Sequence, residues 1–127
     1  MKYRILLIIF IVTSLCVKAQ PPETIYPGTV VFEGYRDDTG FGPFNIGFDF
    51  TFFGNTYSQF YATSNGLITF GGTSGDYTED PIPSTSTPNN FIAAFWDDIV
   101  IDGAGKILYT TIGAAPNRKC VVQWTNM

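Results

Sequence analysis

The chain has 127 residues, a formal charge of −4 and no histidine, and aromatic residues make up 17% of it. Without histidine, the usual serine and cysteine triads and histidine-ligated zinc sites are excluded. Thirteen glycines and eight prolines divide the chain after residue 19 into short runs rich in Phe, Tyr, Val, Ile and Thr. Such runs suit pleated strands and show no helical period, so we expect an all-β protein, an antiparallel β-sandwich.

The first 19 residues have the features of a secretory signal peptide. Lys2 and Arg4 precede an apolar run over residues 5–12, and Ala19 is a small residue at the expected cleavage position. The apolar run is shorter than the roughly 20 residues that a membrane-spanning helix needs. We therefore predict a helical signal peptide over residues 1–19, secretion or display at the cell surface, and no membrane span after cleavage.

Cleavage after residue 19 would leave four basic and eleven acidic residues, a net charge of −7. Four dispersed cations form no basic patch, so nucleic acid is not an expected partner. Cys120 would be the one remaining cysteine, which leaves no disulfide within the chain. Its apolar neighbours favour a packed strand residue over a reactive thiol.

The first part of the mature chain alternates strand and turn signals. Residues 20–28 contain three prolines and predict an extended leader, and Thr29–Glu33 is a short strand candidate. Residues 34–43 are expected to form a polar, turn-rich loop. Asn45–Phe53 is the next strand, because apolar residues occupy every second position and predict one buried face. These residues are Ile46, Phe48, Phe50 and Phe52.

The segment Tyr57–Phe70 is predicted to be a hairpin at the centre of the fold. Apolar and polar residues alternate on both sides of Ser64, Asn65 and Gly66, and an Asn-Gly pair accepts the positive φ values of a tight turn. We interpret Asn65 and Gly66 as structural turn residues with no ligand role. Residues 71–90 form a long irregular loop, a kind of segment that is often functional or disordered.

The last part of the chain predicts two further reversals. Phe91–Trp96 is an apolar run that we expect to be a strand buried on both faces. Ile99–Ile101 and Lys106–Ile112 are predicted to pair as a second hairpin across the turn Asp102–Gly105. A turn over residues 113–117 then leads into a strand at Arg118–Thr125.

Four motifs of the chain occur in a characteristic order. They are Phe52–Phe70 with its S-N-G, Phe91–Asp98 ending in F-W-D-D, Ile107–Gly113, and Val121–Trp124 with the sequence V-V-Q-W. Together they resemble the nidogen-like (NIDO) domain, in particular its versions in secreted and surface multidomain bacterial proteins. The resemblance covers residues 45–127, and Ala94 stands where the family pattern I-A-P-F-W has proline.

The resemblance implies a non-catalytic extracellular β-sandwich module for adhesion or for contact with a cell surface or matrix, within a larger secreted protein. The partner it implies is an extracellular protein or a glycan surface. It also implies closing strands that this sequence lacks, so residues 29–127 are interpreted as a C-terminally truncated domain. No residue-level binding site and no cofactor come with the resemblance.

Acidic residues are the one concentration of metal-binding chemistry. Asp97 and Asp98 end one predicted strand and Asp102 lies in the following turn, so their oxygens are candidates for a calcium site. No EF-hand spacing is present. The alternative is that these residues are solvated or capping turn residues.

A glycosidase with paired carboxylates is the enzyme hypothesis. Asp97 and Asp98 are adjacent on a predicted strand, so their side chains point to opposite faces and cannot flank one glycosidic bond. We therefore expect no enzyme.

Carbohydrate binding through surface aromatic rings is the alternative function. Large rings at strand positions are more often core residues than stacking platforms. Exposed, coplanar indoles at Trp96 and Trp124 would favour sugar binding, and Tyr77 in the long loop is the ring we expect to be most exposed. The other rings considered for a platform are Tyr57, Tyr61 and Tyr109.

Overall fold

A computed structural model describes residues 26–127, and within that range it contains seven β-strands and no helix. The predicted signal peptide, residues 1–19, and most of the predicted leader lie outside the described residues. No helix long and apolar enough to cross a membrane was found in the described part. The strands are β1 (Thr29–Glu33), β2 (Gly40–Phe52), β3 (Asn55–Thr63), β4 (Leu67–Thr69), β5 (Phe91–Ala93), β6 (Lys106–Ile112) and β7 (Lys119–Thr125).

The strands form two antiparallel sheets. One has the order β1-β6-β7 and the other the order β2-β3-β4-β5. A single apolar core joins them, because Ile46, Phe60 and Ala62 of the four-stranded sheet pack in one cluster with Ile107 of β6. The predicted all-β, antiparallel architecture is therefore confirmed.

Aromatic side chains from both sheets contact one another in the core. The rings of Phe44 and Phe60 lie 5.4 Å from the ring of Tyr109 on β6, measured between centroids. The indole N–H of Trp124 on β7 donates a 2.8 Å hydrogen bond to the carbonyl of Thr63 on β3. Burying a ring of this size contributes about 1.5–3 kcal/mol, so these contacts hold one sheet on the other.

Strand β2 shows the predicted alternation and begins earlier than expected. Ile46 is buried while its neighbours Asn45 and Gly47 are exposed. The strand starts at Gly40, because Gly40 and Phe41 pair with the end of β3 before a register shift that ends at Phe44. Proline is tolerated at such an irregularity of an edge strand. Pro43 can therefore lie within β2, although residues 34–43 were predicted to form a loop.

The predicted second hairpin does not form. Ile101 makes an isolated bridge with Arg36, with backbone hydrogen bonds of 2.8 and 2.9 Å. Both edges of β6 are occupied, one by β1 and the other by β7. A turn signal in the sequence cannot reveal this competition, because β1 is far from β6 along the chain.

The strand predicted at Phe91–Trp96 is shorter and more exposed than expected. Only Phe91–Ala93 pairs, as the edge strand β5 of the four-stranded sheet. Ile92 is 37% exposed and Phe95 is 70% exposed, whereas Trp96 is buried. The expectation of burial on both faces was wrong because no strand covers the outer edge of β5 among the described residues.

The described end of the leader is attached to the three-stranded sheet by one side chain. Gln123 of β7 accepts a 2.8 Å hydrogen bond from the backbone N–H of Tyr26 and donates one of 2.8 Å to the carbonyl of the same residue. The amide side chain thus pairs with Tyr26 as a neighbouring strand would. This contact gives a structural role to the glutamine of the V-V-Q-W motif.

Candidate functional site

The turn between β3 and β4 is buried, although its sequence is polar. Thr63, Ser64 and Asn65 are all fully buried. Gly66 closes the turn with φ of +76°, and a Cβ atom there would lie 3.0 Å from the backbone nitrogen of Trp96. A side chain at residue 66 would therefore be both strained and crowded. The structure places Asn65 and Gly66 in the predicted turn, inside the protein.

The side chain of Asn65 connects three loops. Its amide nitrogen donates to Asp38 Oδ1 at 3.0 Å and to the carbonyl of Asp76 at 3.3 Å. Its oxygen accepts a 3.1 Å hydrogen bond from the backbone N–H of Ile99. These partners belong to residues 34–39, to the long loop and to residues 94–99, so one buried amide joins all three.

Backbone hydrogen bonds reinforce the same junction. The N–H of Ser64 donates to the carbonyl of Thr39 at 2.8 Å, and Ser64 Oγ accepts from the N–H of Thr39 at 3.0 Å. The N–H of Ala94 donates to the carbonyl of Gly66 at 3.0 Å. The three loops therefore form a rigid end of the sandwich, here called the loop end: residues 34–39, 71–79 and 94–99.

Three carboxylates meet at the loop end. One oxygen each from Asp37, Asp38 and Asp98 lies within 4.8 Å of the other two, and all three residues are exposed. Loss of hydration, followed by the negative charges of Asp38, Asp37 and Asp97, raises the pKa of Asp98 above its ordinary value. The one ion pair of the described residues, Lys106 with Glu33, is elsewhere. Repulsion within this cluster is thus not relieved by a basic side chain.

Of the three residues predicted to bind calcium, the structure brings Asp98 into this cluster. Asp97 Oδ1 accepts a 2.9 Å hydrogen bond from the N–H of Asp98, and Asp102 Oδ1 accepts one of 3.1 Å from the N–H of Ala104. Both are local turn contacts of the kind weighed as the alternative. Sequence reasoning missed Asp37 and Asp38, whose D-D-T-G signature was interpreted as an ordinary polar turn.

The three rings named for sugar stacking differ in their exposure and in their contacts. Trp96 is only 7% exposed and packs edge to face on Phe91, with centroids 5.1 Å apart. Trp124 is half-buried and is bonded to the opposite sheet through Thr63. Tyr77 is 49% exposed in the long loop. Both indoles are thus packed or hydrogen-bonded within the fold, and Tyr77 is the most exposed ring of the three.

Two exposed aromatic side chains, Phe95 and Tyr77, belong to the loop end. Phe95 follows strand β5, and 70% of its surface is exposed. Its backbone N–H lies 3.3 Å from the carbonyl oxygen of Gly66. Tyr77 follows Asp76, whose carbonyl accepts a hydrogen bond from Asn65. Both rings are therefore fixed at their backbone to the junction formed by Asn65.

Comparison with known proteins identifies a family. A family model described as NIDO related matches residues 19–127. Searches of curated proteins and of solved structures gave no match. The motifs that resemble the nidogen-like domain also have connected roles in the structure, since S-N-G and F-W-D-D meet at the loop end and the glutamine of V-V-Q-W holds Tyr26. The match covers most of the chain, so the protein belongs to the NIDO-related family, a family of structural modules.

Proposed function

We propose that the protein is a non-catalytic extracellular module that makes adhesive contact with an extracellular protein or a glycan surface through its loop end. The observation that carries this proposal is the pair of exposed rings, Phe95 and Tyr77, on a base held rigid by the buried side chain of Asn65. Binding surfaces are commonly loops positioned by a rigid scaffold. Exposed aromatic residues are frequent energetic anchors of such contacts.

The family supports the extracellular part of the proposal. NIDO-like domains are typically extracellular. An excess of acidic residues also suits a secreted module, because net charge favours solubility and disfavours non-specific association. Secretion through a signal peptide at residues 1–19 remains part of the proposal.

Calcium is proposed as the cation that joins the loops at this surface. Asp37, Asp38 and Asp98 provide three carboxylates, and calcium prefers oxygen ligands at 2.3–2.6 Å in flexible geometry. Bound calcium would compensate the negative charges that, after loss of hydration, raise the pKa of Asp98. In this arrangement the ion would stabilise the surface that carries Phe95 and Tyr77.

Binding of the full chain to arrays of immobilised matrix proteins and of glycans tests the contact function. Phe95→Ala is expected to reduce binding to the preferred partner at least tenfold, because this ring is central to the proposed surface. Phe53→Ala is the matched control, since Phe53 is 87% exposed at the turn between β2 and β3, at the other end of those strands. An equal effect of the two variants, or none from Phe95→Ala, would overturn the proposal.

The carbohydrate alternative rests on Tyr77 in this structure. If the glycan array binds the chain and Tyr77→Ala removes the binding, the partner is a glycan surface. If Trp124→Phe removes glycan binding in a folded protein, the half-buried indole is accessible to sugar and the loop end is not the contact surface.

A further inference from the structure

A cleft lies between the long loop and the face of β5 that points away from the core. Ile92 of β5 pairs with Ile68, which packs against the core, so side-chain alternation places Phe91 and Ala93 on the opposite face. Both of these residues line the cleft, and residues 80–90 of the long loop form most of its remaining wall. The cleft is therefore built by a strand and a loop that are both internal to the described chain.

Hydrogen bonds fix the long loop against the sheet at both of its ends. Near its start, the hydroxyl of Thr69 donates to the carbonyl of Gly72. At its end, the carbonyl of Asn90 accepts a 2.9 Å hydrogen bond from the N–H of Phe70. Thr69 itself is buried. The wall that the loop contributes to the cleft is thus anchored to β4.

Three residues of the wall that carry side chains have left-handed backbone conformations. The φ angle is +45° at Phe53, +56° at Asn90 and +42° at Trp96. Such conformations persist only where the surrounding structure imposes them, and they cluster at functional sites. They support a binding role for the cleft together with its size and its lining.

The cleft has the size and the lining of a small-molecule site. Its volume is about 410 Å³, and ligand pockets usually have about 300–1,000 Å³ with apolar walls and a few polar groups that orient the ligand. Polar side chains of residues 80–90 are interspersed with prolines and aromatic rings in this lining. The rings are those of Phe52, Phe53, Phe91 and Trp96.

The indole of Trp96 supplies an unpaired hydrogen-bond donor to this lining. The residue is 7% exposed, and its Nε1–H has no acceptor within residues 26–127. A buried indole N–H usually has a partner, and leaving such a donor unsatisfied is costly. The other indole, that of Trp124, donates to the carbonyl of Thr63. A ligand that offers Trp96 an acceptor would therefore gain a hydrogen bond that the fold itself does not make.

The charges of the lining favour an uncharged ligand. Asp80 is the one charged residue that lines the cleft, so a phosphate or carboxylate would meet a negative charge with no lysine or arginine to compensate it. A cation could pair with Asp80 but would leave the indole N–H of Trp96 without an acceptor. Thr87 and Asn90 add neutral donors and acceptors to the wall.

A pyranose sugar satisfies these requirements together. Its C–H groups form an apolar face that can pack on aromatic rings. Each of its hydroxyl groups can both donate and accept a hydrogen bond, so one can accept from Trp96 while another donates to Asp80. The ring is neutral and therefore brings no charge that the cleft cannot pair.

We propose that the cleft beneath the long loop binds a neutral saccharide, held by the indole N–H of Trp96, the carboxylate of Asp80 and the aromatic rings of the lining. The sugar is enclosed between loop and sheet, which differs from stacking on an exposed ring such as Tyr77. Although Trp96 belongs also to the loop end, this site does not depend on the contact function proposed for Phe95 and Tyr77.

The test records the two indole N–H signals of the full chain in proton–nitrogen NMR spectra during titration with sugars. The probes are glucose, galactose, mannose and N-acetylglucosamine. At least one of them is expected to shift the Trp96 signal in a saturable manner. The signal of Trp124 should stay unchanged, because its N–H already donates to Thr63. Trp124→Phe assigns the two signals.

Two control compounds examine the chemistry of the ligand. Sorbitol has the hydroxyl groups of glucose without the ring, and glucuronate has the ring with an added negative charge. Both are expected to bind at least tenfold more weakly than the preferred neutral sugar. Equal binding of sorbitol would show that the apolar face of a sugar ring is not recognised, and tighter binding of glucuronate would show that the ligand is an anion.

A pair of matched variants assigns the binding to the cleft. Ala93→Phe fills the cleft from an exposed position that lines it and should weaken sugar binding at least tenfold. Ala94→Phe makes the same change at the next residue, which is exposed and outside the lining, and should leave the affinity within twofold. Circular dichroism confirms that both variants are folded. Equal effects of the two variants would contradict binding in the cleft.

Further variants separate this site from the loop end. Tyr77→Ala and Phe95→Ala should leave the sugar affinity within twofold, because neither residue lines the cleft. Loss of sugar binding in Tyr77→Ala would place the sugar on the loop end and overturn the cleft site, while leaving the proposed contact function intact. The cleft proposal is also overturned if no neutral sugar moves the Trp96 signal, including the case in which a proline-rich peptide moves it instead.

Discussion

Asn65 and Asp38, 27 residues apart in the chain, are joined by a 3.0 Å hydrogen bond from the buried amide to an exposed carboxylate. The same amide accepts a hydrogen bond from the residue after Asp98. One buried side chain therefore holds the two halves of the acidic cluster at a fixed separation. The packing of the three loops and the geometry of the acidic cluster therefore depend on the same residue.

Replacing Asn65 with alanine should destabilise the protein by about 2–4 kcal/mol. The substitution removes the partner of the Ile99 N–H and of several acceptors in a buried site, and unsatisfied buried polar groups carry penalties of about 1–3 kcal/mol each. Urea denaturation followed by fluorescence measures the free energy of unfolding. Asn45→Ala is the control, because Asn45 is exposed on β2 and surface changes are usually within about 0.5 kcal/mol. Similar losses for both variants would contradict a central role for Asn65.

Calcium at 100 times its dissociation constant should raise the melting temperature by roughly 10–20 °C. A ligand that binds only the folded state stabilises it by about 2.7 kcal/mol at 100 times its dissociation constant. For a domain of this size each kcal/mol corresponds to roughly 4–8 °C. Thermal melts in calcium and in EGTA, followed by circular dichroism, measure the shift.

Asp98→Asn and Asp102→Asn separate the cluster from the neighbouring turn. The first variant should lose most of the calcium-dependent shift, whereas the second should retain it, since Asp102 Oδ1 accepts a hydrogen bond within its own turn. A shift that survives in Asp98→Asn would assign calcium to another place. No shift in the original chain would remove calcium from the proposed function.

Local patterns predicted much of the fold because side-chain alternation and turn chemistry depend on neighbouring residues. The alternation around Ile46 was enough to predict β2 from Asn45 onward, and the Asn-Gly pair was enough to locate the turn between β3 and β4. Strand pairing was less predictable. Ile101 had a plausible partner in β6 across a short turn, yet β1 occupies that edge of β6.

The candidate site was harder to predict for the same reason. Asp98 was recognised from its own strand end, but its neighbours Asp37 and Asp38 come from a loop at the other end of the sequence. Asn65 was interpreted as a structural turn residue with no ligand role, and nothing within the hairpin indicates its burial. Its burial arises when three loops from distant parts of the chain close over it.

The acidic cluster should also make stability depend on pH in the absence of calcium. The folded-state pKa of Asp98 is raised above its ordinary value of 3.8, so the folded state holds this proton more tightly than the unfolded state. Stability is therefore expected to fall as the pH rises from about 3.8 through the raised pKa, as linkage requires. The Asp98→Asn variant lacks the pH dependence that comes from Asp98. As the pH rises through that window, the variant should therefore become more stable relative to the original chain.

Urea denaturation in EGTA at several pH values between acid and neutral measures this dependence. Carboxyl-carbon NMR titration gives the pKa of Asp98 directly. Calcium should cancel the advantage of Asp98→Asn at neutral pH, because the ion compensates the carboxylates that repel one another. A titration of Asp98 at or below 3.8 would contradict the environment described for the cluster.

Gln123→Glu should release the segment before β1 from the sheet while leaving the sandwich folded. The amide both accepts from and donates to the backbone of Tyr26, and a carboxylate cannot donate to that carbonyl. Because such a hydrogen bond contributes about 0.5–1.5 kcal/mol net, the loss of the donated bond should lower stability by about that amount. Hydrogen exchange at the amide of Tyr26 should accelerate at least tenfold, whereas the matched change Val121→Thr on the same strand should leave that exchange rate unchanged. If exchange at Tyr26 is equally slow in Gln123→Glu, then contacts other than the glutamine hold this segment, and the role assigned to the V-V-Q-W motif is wrong.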